Sequence, residues 1–100
     1  DHNFVLKNGG KPKVIARLSS PDTGIILEET TDLPGVQLYS GNFVDAPNGK
    51  RPYGFRSGVC LEGQFFPNAM AVEEFQKPIL RKDDEYRHVI RYQFKTNKNA

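Results

Sequence analysis

Alternation with a period of two, the signature of strands, runs through most of this chain. In Lys13 to Ser19, Val14, Ala16 and Leu18 alternate with Ile15, Arg17 and Ser19, as expected when one sheet face is fully buried. Ser20-Pro21-Asp22-Thr23-Gly24 then supplies the residues of a tight reversal, and Ile25 to Thr31 is expected to return as an antiparallel partner. Shorter strands are expected at Asn3 to Lys7 and Val36 to Tyr39, and a longer one at Gly58 to Phe65. Breakers bound them: Asn8-Gly9-Gly10-Lys11-Pro12, Leu33-Pro34-Gly35, the Gly41 to Gly54 stretch with its Asn48-Gly49 pair, and Pro67. The last strand is expected at Tyr86 to Lys95, with Tyr86, His88, Ile90, Tyr92 and Phe94 on one face. Only Asn68 to Phe75 leaves room for a helical turn. The fold class that follows is all-β, a sandwich or barrel, in one domain without internal repeats or linkers.

Composition narrows the picture. A chain of 100 residues, 37% of them hydrophobic, has core-forming material for one domain and no room for a separate cofactor domain. Its apolar runs fall far short of the roughly 20 residues needed for a helix to cross a bilayer, so no membrane partner is expected. Fourteen basic residues against twelve acidic ones, a net charge of +2, do not demand nucleic acid. One Cys and two His provide neither an internal disulfide nor a Cys-rich zinc site, and no Asn-x-Ser/Thr acceptor is present. A cytoplasmic location is the expectation. Apolar, strand-like sequence follows Asp1 directly, from which the chain is expected to be a piece of a longer protein.

Candidate chemistry centres on polar residues inside strands. Around Gly63, Cys60, Glu62 and Gln64 share one strand face and Val59 and Leu61 the other, so a carboxylate stands mid-strand. On this pattern alone a solvent-facing Glu is the commoner reading, and a cleft-facing acid or base the functional one. Gly63 marks either a bulge or a close approach by another group. Gln37 and Tyr39 share a face opposite Val36 and Leu38, and an amide beside an aromatic ring suits a polyol. His88 reads as a satisfied core residue and Cys60 as a buried small residue. Arg51-Pro52-Tyr53-Gly54-Phe55 loosely imitates an RNA-stacking motif, but Pro52 and Arg56 break it. No nucleic-acid partner is expected.

Three segments in order carry a more specific signal: Asp1-His2-Asn3-Phe4-Val5-Leu6, Pro34-Gly35-Val36-Gln37-Leu38-Tyr39-Ser40-Gly41-Asn42-Phe43, and Cys60-Leu61-Glu62-Gly63-Gln64-Phe65-Phe66-Pro67-Asn68-Ala69. Together they resemble the C-terminal third of the aldose 1-epimerases, or galactose mutarotases. Pro78 to Tyr86 also looks like that family's closing turn and strand, so the resemblance spans essentially the whole chain. It implies part of a large antiparallel β-sandwich, of the galactose mutarotase-like supersandwich type, with residues 1–100 as the C-terminal portion of an epimerase domain. It implies a hexose substrate and neither metal nor cofactor. Glu62 matches the family's catalytic base, while Asp1 and Gln37 match residues that hydrogen-bond the sugar. The catalytic acid is implied to be a His from the N-terminal portion of the same enzyme, which becomes the expected protein partner. Alone, this chain is expected to be inactive.

The chemistry fits those roles. Opening a cyclic hemiacetal needs a base on the C1 hydroxyl and an acid on the ring oxygen, and reclosure from the other face exchanges the α and β anomers. The chain departs from the family pattern at Gly63, where Thr is frequent, at Phe66, where Trp is frequent, and at Asn68, where Asp is usual. Two alternatives stay open: a non-catalytic carbohydrate-binding relative, and a hexose-6-phosphate epimerase, which would need an Arg cluster for the phosphate.

Overall fold

A computed structural model of the chain describes residues 1–97. Six strands carry the fold: β1 (His2–Val5), β2 (Lys13–Ser19), β3 (Ile25–Thr31), β4 (Gly35–Tyr39), β5 (Cys60–Gln64) and β6 (Ile90–Thr96). They form two three-stranded antiparallel sheets, ordered β1-β4-β5 and β2-β3-β6. Among the described residues there is no helix. The expected all-β architecture is therefore present, as two layers of a β-sandwich.

The β2–β3 hairpin forms where the turn residues place it. Ser20 N–H donates to the Ile25 carbonyl at 3.0 Å, and Gly24 N–H to the Ser20 carbonyl at 2.8 Å. Gly24 has φ 74°, and a Cβ there would lie 3.2 Å from the Asn97 carbonyl oxygen. Glycine satisfies both demands. The simple alternation of β2 does not survive: the register slips between Val14 and Ala16, leaving Val14 opposite Thr30 and Ala16 opposite Glu29. Thr30 and Glu29 are neighbours on β3 and point to opposite faces, so Ile15 is the extra residue of a β-bulge.

Two other expectations are corrected. Residues 68–75 form isolated turns instead of a helical turn, with Ala71 N–H bonded to the Asn68 carbonyl and Phe75 N–H to the Val72 carbonyl. Asn68 sits at φ 59°, which ends any right-handed helical run. The last strand begins at Ile90, not at Tyr86. Before it, Asp32 captures the chain: its Oδ1 accepts the Val89 N–H at 3.0 Å, and both carboxylate oxygens lie 3.3 Å from His88 Nδ1.

Residues 31–35 carry the chain from one layer to the other, and this crossing is the best-buried part of the molecule. Leu33 is 2% exposed, and Thr31 and Val36 are buried beside it. Burying Leu33 and Val36 contributes about 1.5–3 kcal/mol each. Asn8, also buried, ties the loop after β1 to the crossing by donating to the carbonyls of Thr31 and Leu33 at 3.0 and 2.8 Å. Elsewhere the apolar faces are only partly covered. Phe4, Val36, Leu38 and Leu61 of one layer and Val14, Ala16 and Leu18 of the other line an open groove of about 570 Å³. Phe4, Val14 and Phe94 are all more than half exposed.

Candidate active site

The register of the first sheet builds the site. Asn3 pairs with Gln37 across β1–β4, and Gln37 pairs with Glu62 across β4–β5. Three polar side chains from three strands therefore stand in one row on one face. Alternation carries Asp1, the residue before β1, to the same face as Asn3. Of the candidate residues, Gln37 and Glu62 are direct neighbours, and Asp1 lies at the β1 side of the row.

The environments along the row differ. Glu62 and Asp1 are exposed, while Asn3 and Gln37 are half-buried. Asn3 Nδ2 and Gln37 Oε1 are out of contact with solvent and have no hydrogen-bond partner among the described residues. A donor and an acceptor thus stand unpaired on two register partners of the row. Asn3 was not singled out from the sequence, although a polar residue inside a short apolar strand was a visible signal.

Gly35 makes the row possible. A Cβ at this position would lie 2.7 Å from Asn3 Oδ1 and 2.9 Å from the Phe66 ring. Glycine therefore lets the Asn3 amide and Phe66 close over β4 beside Gln37. Phe66 is held in turn by an edge-to-face contact with Phe75, with centroids 5.0 Å apart.

Behind β5 the chemistry is different. The β4–β5 register is regular through Gly63, which removes the bulge reading. Gly63 is instead a place of close approach: a Cβ there would lie 3.1 Å from Glu29 Oε2 and 3.4 Å from Thr31 Oγ1. Glu29, on the central strand of the other sheet, is 0% exposed. Burial pushes its carboxyl above the ordinary value. The Gly63 amide acts in the opposite direction and is the smaller influence. Tyr92 donates its hydroxyl to the Leu61 carbonyl at 2.5 Å. Burial raises its pKa, and the charges of Glu29, Glu62 and Cys60 add to the rise.

Neither histidine stands in the polar row. His2 pairs with Leu38 and so points to the opposite face, where its ring lies 6.3 Å from that of Phe4. His88 is half-buried against Asp32 and makes edge contacts with Phe65 and Tyr86 at 5.5 and 4.6 Å. Cys60 is exposed rather than buried, because it opens β5 at the sheet edge. Tyr53 of the RNA-like segment lies in a loop and makes only an isolated bridge to Ala46, so no aromatic platform on a central strand exists there.

Fold and row together define a class: a two-layer β-protein with a row of polar side chains across one strand face. The chain belongs to the aldose 1-epimerase family, whose sequence model matches residues 1–93. Its relatives include the galactose mutarotases of Mus musculus, 41% identical over 97 residues, and Homo sapiens, 40% identical over 97 residues. The aldose 1-epimerase of Escherichia coli is 36% identical over 99 residues. Each alignment covers 94% of this chain but only 28–29% of the relative, so the chain spans under a third of their length.

Proposed function

We propose that this chain is the C-terminal portion of an aldose 1-epimerase that interconverts the α and β anomers of a free hexose, galactose or glucose. The observation that carries the reading is the strand register, which sets Gln37 between Asn3 and Glu62 on one face. Glu62 takes the proton from the anomeric C1 hydroxyl, and a second group protonates the ring oxygen as the C1–O5 bond opens. Rotation about C1–C2 and return of both protons give the other anomer. Gln37 and Asp1 hold the ring hydroxyls so that both transfers act on one orientation of the sugar.

The acid comes from the N-terminal portion of the same enzyme. This assignment is supported by the positions of His2, on the far face, and His88, engaged with Asp32. The open groove and four sheet-edge strands, β1, β5, β2 and β6, are also surfaces that further strands of the same sandwich would cover.

Polarimetry of fresh α-D-glucose and α-D-galactose with the full-length protein tests the reading. Acceleration by the wild type and its loss in Glu62→Gln are expected. Equal rates from both would remove Glu62 from the base role. Sugar binding without any acceleration would instead select a non-catalytic binding protein.

A further inference from the structure

β5, which carries Glu62, is held by its ladder with β4 in its own sheet. Its second restraint comes from the other layer. Glu29 of β3 and Tyr92 of β6 are register partners, and both reach β5. Tyr92 meets the Leu61 carbonyl, and the Glu29 carboxyl covers Gly63. These two contact points are the residues immediately before and after Glu62. Alternation aims Leu61 and Gly63 at the second layer while Glu62 faces the polar row. Thr31 closes the same spot, its Oγ1 near Gly63 while its hydroxyl donates to the Val89 carbonyl at 2.6 Å.

Packing alone does not account for a glutamate here. An apolar side chain of similar size would fill the space without burying a polar group that lacks a full partner. What the carboxyl adds is a polar end against the Gly63 amide, possible because Gly63 has no side chain in the way.

We propose that Glu29 and Tyr92 are positioning residues, a two-point clamp that fixes the backbone on either side of Glu62 and so sets the reach of its carboxylate toward the sugar. The clamp rests on the reading of Glu62 as the base. Neither residue touches the substrate; both act through β5. A site whose reacting group is displaced by a fraction of an ångström loses turnover before it loses affinity.

The test uses the full-length protein with Glu29→Ala, Glu29→Gln, Tyr92→Phe and Glu62→Gln, each followed by polarimetry over a range of hexose concentrations. Tyr92→Phe and Glu29→Ala are expected to lower kcat about tenfold while KM stays within about twofold. Glu29→Gln, which keeps the shape and a neutral polar end, is expected to recover most of the turnover lost in Glu29→Ala. Wild-type kcat in Tyr92→Phe and Glu29→Ala, beside an inactive Glu62→Gln, would overturn the clamp and leave the base in place. Full activity in Glu62→Gln would overturn the base reading and the clamp with it. A loss of kcat that only follows the loss of folded protein by circular dichroism, unrepaired by Glu29→Gln, would also overturn the clamp.

Discussion

Glu62 and Glu29 lie on the two sides of β5, and the chain treats them in opposite ways. Glu62 is exposed, beside Gln37 in a polar row, while Glu29 is 0% exposed behind Gly63 and its carboxyl binds its proton more tightly than usual. Both are mid-strand glutamates with nothing in their local sequence to separate them. The sheet face decides the difference: Glu62 is on the open side of the first sheet, while Glu29 lies between the sheets. The same residue type is therefore solvent-facing in one place and a buried contact in the other.

The largest effect that breaks this comparison is expected at the open side. Glu62→Gln in the full-length enzyme should lower kcat about 100-fold or more, the range for loss of a general base, read by polarimetry. Wild-type turnover would make the two glutamates equally uncatalytic.

Next comes the glycine between them. Gly63→Thr places a branched side chain where Glu29 Oε2 and Thr31 Oγ1 already stand, and should cost about 1–3 kcal/mol in urea unfolding. Combined with Glu29→Ala, which vacates that space, the cost should shrink, giving a clear non-additivity in the double-mutant cycle. Additive effects would show that the two positions do not share the space.

A smaller effect concerns pH. The folded Glu29 carboxyl keeps its proton above the ordinary 4.5 at which the unfolded chain releases it. The stability linked to that proton is complete below 4.5 and is lost as pH rises through the raised folded value. Glu29→Gln has no proton to lose, so its stability should exceed that of the wild type on the alkaline side by about 1 kcal/mol and converge on it in acid. Parallel curves at all pH values would contradict burial as the cause.

The smallest effect sharpens the contrast from the same strand's end. Burial acts on Asp32 too, yet the Val89 amide and His88 outweigh it and hold its carboxyl below the ordinary 3.8. Its contribution is therefore present above 3.8 and lost as pH falls through the lowered folded value, the reverse of Glu29. Asp32→Asn should cost about 1 kcal/mol at neutral pH and progressively less in acid, in thermal or urea unfolding.

Much of the fold was legible along the chain because its causes are local. The β2–β3 hairpin follows from Pro21 and Gly24 between two alternating runs, and β4 and β5 from short runs bounded by glycine and proline. The local signals failed where distant residues intervened. Tyr86 and His88 alternate like strand residues, but Asp32, more than fifty positions away, holds that segment outside β6. Cys60 reads as a small buried residue, yet it is exposed, on a strand paired on one side only among the described residues.

The candidate site divides in the same way. Residue type and alternation marked Gln37 and Glu62 only as polar residues inside strands, because side-chain chemistry and the period of two are properties of a few consecutive residues; the family resemblance added Asp1 and gave all three their roles. Placing Asn3, Gln37 and Glu62 in one row required the register of strands far apart in the chain, pairing position 3 with 37 and 37 with 62. The roles of Gly63, Glu29 and Tyr92 required the packing of one sheet on the other. Such contacts depend on how the layers close over each other, which no short stretch of residues encodes alone.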